Sequence, residues 1–227
     1  MDLTHFSGGI IMTTNVDLEK LQKDAVDIFN QGFACSESVI YAIKENFELD
    51  MSDDAIAMSS GFPWGLGGGG CICGALAGAT MCIGYFFGRK TPGDPKINRC
   101  FKLSNEIHDF FKEYCGATCC RVLTKGKEKN SPERKAQCTD FVAATVKKTA
   151  EIILRELAAD EAEKIKIFFQ KARRKFFQSS ASFYIFILLS LRSLHLLYFL
   201  PALPDHLLIH RLCVLLRYKL LYRLPAG

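Results

Sequence analysis

Apolar residues recur every three or four positions along the first part of the chain. In DLEKLQKDAVDIFN, residues 17–30, Leu18, Leu21, Ala25, Ile28 and Phe29 form one stripe with Gly32 just past its end, which predicts an amphipathic helix. A second helix is expected at once, because ACSESVIYAIKENF aligns Cys35 with Val39, Ala42 and Ile43 and so turns the cysteine inward at the first turn. Ser52 is placed to cap a short third helix, DDAIAMSSGF. The pattern then gives way to a glycine loop from Gly61 to Gly70. A helix from about Cys71 to Phe87 follows, although it contains Gly74, Gly78 and Gly84. Each of these weakens a helix by about 1 kcal/mol relative to alanine, and close approach of a neighbouring helix is the simplest compensation. Asp94-Pro95 and Ser131-Pro132 pair a capping side chain with a proline, a helix-start signal. The first opens a helix to about Tyr114 that carries Ile97, Phe101, Ile107, Phe110 and Phe111. The second opens a helix that directs Phe141, Val142, Thr145, Val146, Ile152, Ile153 and Leu157 at a core. Between them, CGATCCRVLTKGKEKN reads as a short helical turn and a solvated lysine-rich loop. The sum is an all-α single bundle of five or six helices with a Gly-rich loop, followed by an atypical hydrophobic tail.

At 227 residues and 49% hydrophobic composition the chain can bury one good core. Cysteine changes the picture more: there are ten, nine of them between Cys35 and Cys138. MDLTHFSGGIIMTTN has no charged start followed by a long apolar run, so a secretory leader is not expected, and disulfide-stapled scaffolds are usually far shorter. Thiol or metal chemistry in a reducing compartment is the better expectation. Cys71 and Cys73 are expected at a helix N-terminus, where unpaired N–H groups and the helix dipole favour thiolate. Gly70, Gly74 and Gly78 would let a cofactor or a partner's disulfide approach the backbone there. Adjacent helical residues diverge by about 100°, so only one of Cys119 and Cys120 can face the site that Cys35 and Cys73 face. Cys71, Cys115 and Cys119 are extra thiols, read either as a second pair or as space fillers. Cys82 and Cys100 read as core residues, and His108 as a surface or core residue.

Cys35 on the second helix, CGAxxG over Cys73–Gly78, CRVL at Cys120 and Cys138 leading an apolar helix together resemble the bacterial redox-active family named for its C, GCAxxG, C, C cysteine pattern. The resemblance covers roughly residues 17–158. It selects Cys120 over Cys119 and implies a helical, cytoplasmic domain in which Cys35, Cys73, Cys120 and Cys138 perform thiol/disulfide or electron-transfer chemistry with another redox protein. The alternative is that the same four hold an iron–sulfur cluster or zinc. Their spacing matches neither a zinc ribbon nor a ferredoxin run, since no CxxC is present and the cysteines lie on different helices, so such a centre needs a prefolded bundle.

Charge separates the tail from the body. Residues 164–227 hold 11 of the 29 Lys and Arg but only Asp205 among the 24 acids, which leaves 18 basic and 23 acidic residues before them. The basic balance is thus a property of the tail and gives no support to a nucleic-acid surface on the body. Three segments are expected: an extension, 1–16; a cysteine-rich helical redox domain, 17–163, as monomer or homodimer; and a basic, Leu-rich tail, 164–227. MTTNVDLEKL from Met12 reads as the more natural start, with residues 1–11 from an upstream start codon. Residues 176–227 contain 16 leucines, no glutamate and no clean helical period. Within them, 183–200 has the length of a membrane span but carries Arg192 and His195 centrally, which opposes insertion. The abrupt change in composition suggests translation beyond a frameshift, and membrane association requires the tail to be genuine.

Overall fold

A computed structural model of the chain describes residues 4–7 and 10–178. Two short strands, β1 (Thr4–Ser7) and β2 (Ile10–Thr13), pair antiparallel as a hairpin, and the remaining regular structure among the described residues is helical. The all-α expectation holds for the body, with this hairpin as a local exception in the N-terminal extension.

The capping chemistry follows the sequence closely. Asp17 accepts from the Glu19 and Lys20 amides to start α1 (Leu18–Asn30). At α2 (Cys35–Asn46) the cap is supplied from inside the helix, where Glu37 Oε2 accepts from the Ala34 amide at 2.6 Å. Ser52 caps α3 (Asp53–Ala57), which continues into a 3₁₀ turn at Met58–Gly61. The short turn α4 (Pro63–Leu66) leads into the glycine loop and then α5 (Gly74–Phe87). α6 (Lys96–Cys115) starts one residue later than Asp94-Pro95 predicts, and Asp94 Oδ1 still accepts from the Lys96 amide at 2.9 Å. α7 (Cys120–Leu123) and the long α8 (Pro132–Gln178) complete the order.

α5 is the element around which the core is built. It is short in side chains and buried along most of its length, and it packs against α2 on one side and α6 on another, while α1 covers α2. α8 runs along α6 and α1. Phe111 and Phe141 meet edge to face at 5.9 Å, Arg99 bonds Glu156 and Asp160, and Gln22 Nε2 donates to the Ala143 carbonyl. The predicted stripe of α8 from Phe141 to Leu157 is buried throughout. On α6 the stripe runs through Cys100, Leu103, Ile107 and Phe111, and Phe101 is 64% exposed, contrary to its expected place on the apolar face. Cys82 and Cys100 are buried among core residues. His108 is partly exposed beside Asp109.

Packing divides the chain into two units, Met1–Glu163 and Lys164–Gly227, and among the described residues the buried core lies in the first. Of the second, residues to Gln178 are described. Among the described residues no helix is long and apolar enough to cross a membrane, and segment 183–200 lies outside them.

Candidate functional site

The glycine loop folds as a left-handed turn. Trp64, Gly65, Leu66 and Gly67 all have positive φ, and at Gly65 a Cβ would stand 2.7 Å from the Cys71 nitrogen, so only glycine fits. Beyond the turn the chain runs extended and pairs with the segment before α7. Cys73 N donates to Thr118 O at 2.8 Å, Cys120 N to Cys71 O at 2.6 Å, and Arg121 N to Gly70 O at 3.0 Å, with Ile72 bridged to Cys119. This pairing delays the helix. α5 begins at Gly74 rather than near Cys71, with Cys73 as its N-cap and Cys71 exposed outside it.

The same pairing sorts the adjacent cysteines. Cys119 turns away and its thiol donates to the Gly70 carbonyl at 2.8 Å, which leaves Cys120 facing inward. A cavity of about 360 Å³ is lined by Cys35, Cys73, Cys120 and Cys138, one each from the start of α2, the N-cap of α5, the start of α7 and the second turn of α8. Residues up to 103 positions apart thus share one hollow. Phe29, Phe33 and Phe141 supply apolar wall. Of the other residues expected at the site, Gly70 lies beside the Arg121 side chain and Cys71 does not line the cavity, nor does the extra thiol Cys115. Gly74 and Gly78 face α2: a Cβ on Gly74 would overlap Cys35 Sγ, and one on Gly78 would stand 2.6 Å from Ser36 O. These two glycines let the α2 N-terminus press against α5, and that contact brings the Cys35 thiol to the cavity.

All nine cysteines among the described residues are free thiols. Burial pushes Cys35 up to about 12, with the neighbouring Cys138 and Cys120 adding to the effect. Cys73 is raised further, by burial first and then by Cys35, although the Ala75 and Leu76 amides at the α5 N-terminus oppose it. Cys138 is raised by burial and by Cys120, against the opposing charges of Arg134 and Lys127. The expected lowering of the Cys73 pKa therefore does not occur, because desolvation of a thiolate outweighs the helix terminus. Cys120 contributes to the shifts of all three other cavity thiols. For a metal the fit is poor: among the described residues no three Cys, His, Asp or Glu side chains are placed as a ligand group.

Two residues that sequence reasoning passed over join the cavity wall. Arg134 lies 4.8 Å over the Trp64 ring, and its Nη2 donates toward Cys120 Sγ at 3.8 Å. Its Nε is buried with no partner among the described residues. The signal was present in the sequence, since Arg134 and Cys138 are four apart on α8 and share a face.

An uncharacterized protein of Archaeoglobus fulgidus is 25% identical over 146 residues, which is 59% of this chain and 93% of that one. No solved structure matches. A family model described as "Putative redox-active protein (C_GCAxxG_C_C)" matches residues 33–152, a span that contains all four cavity cysteines. The family name orders glycine before cysteine, whereas this chain carries Cys73 before Gly74. A side chain at 74 would strike Cys35 Sγ, and the thiol set back by one residue still lines the hollow. By that match over more than half its length, the chain belongs to the C_GCAxxG_C_C family of redox-active proteins.

Proposed function

We propose that the protein cycles its cavity cysteines between dithiol and disulfide, accepting or delivering two electrons by thiol–disulfide exchange. The observation that carries this reading is the gathering of four free thiols from four separate elements around one cavity. Packing needs no such gathering, whereas exchange requires an attacking thiol and a resolving thiol within reach. Cys120 is the entry point, because it is the cavity cysteine that also lines the neighbouring cleft. Cys138 is the resolving thiol, since Arg134 and Lys127 partly offset its burial. Cys35 and Cys73, both raised by burial, hold their protons at neutral pH and serve as a reserve pair.

The test is stoichiometric. Anaerobic protein treated with diamide should lose two thiols per oxidation event, and mass mapping should find a disulfide within Cys35, Cys73, Cys120 and Cys138. Cys120→Ser should abolish the first of these. Four thiols that all remain alkylatable after oxidation would sink the proposal, as would visible charge-transfer bands in protein purified without air.

A further inference from the structure

Beside the thiol cavity lies a second cleft of about 420 Å³, and the two share Trp64, Cys120, Thr124 and Arg134. The cleft is lined by Arg121, Lys125, Lys129 and Arg134, the cavity adds Lys135, and among the described residues neither carries an Asp or Glu. Among the described residues none of these five cations forms an ion pair. Lys129 Nζ and Arg134 Cζ stand 4.9 and 4.8 Å from the centre of the Trp64 ring. Arg121 is tied back to the Gly69 carbonyl at 2.6 Å and holds the loop. Like charges around a common hollow repel one another, and the buried Arg134 Nε has a desolvation cost that no protein acceptor offsets. An anion in the cleft relieves both.

We infer that the cleft binds the negatively charged groups of a small organic disulfide and presents its S–S bond to Cys120. A small molecule rather than a protein is indicated by depth, since Cys73 and Cys120 are only 6% and 8% exposed and the cavity has the size of a small-molecule site. The chemistry rests on the thiol reading above, while the binding does not. In the first step the Cys120 thiolate attacks one ligand sulfur. The ligand S–S bond breaks, a Cys120–S–S–R mixed disulfide forms, and R–S⁻ leaves and takes up a proton from solvent. The Cys138 thiolate then attacks the Cys120 sulfur and expels the second R–S⁻. The protein dithiol is oxidised by two electrons and the ligand is reduced to two thiols.

Trp64 is the chain's single tryptophan and its ring lies in the wall of both hollows, so its emission reports occupancy. Protein with Cys120→Ser, which lacks the entry thiol of the cleft, is titrated with 3,3′-dithiodipropionate, with neutral bis(2-hydroxyethyl) disulfide and with cationic cystamine. A saturable change with the dianion alone is expected, weakened about tenfold by Arg134→Gln and largely restored by Arg134→Lys. Should Arg134→Gln not fold by circular dichroism, Lys129→Gln carries the same comparison. No saturable response to the dianion, or an equal response to cystamine, overturns the inference. Dianion binding without thiol release by the unsubstituted protein upholds the anion site and counts instead against the redox reading.

Discussion

The Cys73 sulfur sits where a thiolate is ordinarily favoured, with the Ala75 and Leu76 amides of α5 directed at it. Its burial works the other way, and so do the neighbouring thiols of Cys35 and Cys120. Two backbone amides cannot replace the hydration that a buried thiolate loses, so the proton stays. The same argument applies to Cys35, pushed up to about 12, whereas Cys71 lies exposed outside the helix. Iodoacetamide at pH 7.5 should therefore label Cys71 well before Cys35 or Cys73. Raising the pH to 10 should increase Cys35 labelling by about tenfold per pH unit, because its thiolate fraction rises over that range. Peptide-resolved mass spectrometry reads both rates. Labelling of Cys73 ahead of Cys71 would mean that the helix terminus outweighs burial.

Within α5, three glycines that look alike in sequence have different surroundings. A Cβ on Gly78 would stand 2.6 Å from Ser36 O and 3.0 Å from Ser36 Cα, both backbone atoms of α2, whereas a Cβ on Gly84 would meet nothing within 4 Å. Gly78→Ala should therefore destabilise by about 1–3 kcal/mol through overpacking. Gly84→Ala should stabilise by about 0.5–1 kcal/mol, since helix propensity is gained at no steric cost. Urea melts of the two variants decide the matter, and equal effects would refute the close-approach account. Helix periodicity made α1, α2 and the α8 face legible, because one stripe of each meets one core. It could not locate the start of α5, which is set by pairing of residues 70–73 with 118–121, a contact between segments nearly fifty residues apart. Phe101 misled for a related reason: its periodicity fits α6, but the packed face is the one through Cys100 and Leu103. Three cavity cysteines, Cys35, Cys73 and Cys138, were legible from the residues together with the family pattern, and the choice of Cys120 over Cys119 came from the pattern alone. Trp64 was missed because its ring reaches the site through a left-handed turn that no propensity announces.

At the scale of the whole fold, five of the described thiols are shifted in one direction. Cys82, on the buried side of α5, is pushed up to about 12 by burial, and Cys115 reaches about 12 through burial and the nearby Asp140 carboxylate. Cys35 behaves likewise, and Cys73 and Cys138 are also raised. In the unfolded chain each of these five thiols titrates near its ordinary 9.0, while the folded bundle holds their protons. Above pH 9 the unfolded state thus binds fewer protons than the native one, and stability must fall with rising pH. The contribution is fully present below 9 and is lost progressively toward 12, at about 1.4 kcal/mol per pH unit for each thiol that differs between the two states. Denaturant melts between pH 8.5 and 11 should show this decline. Cys82 separates the effect from other titrations, since burial dominates its shift and no neighbouring thiol contributes to it. Cys82→Ala will lower stability at every pH by leaving a small cavity. The slope against pH should nevertheless become shallower by up to one proton, because the variant has one fewer thiol to ionise on unfolding. An unchanged slope would show that Cys82 does not hold its proton in the folded bundle.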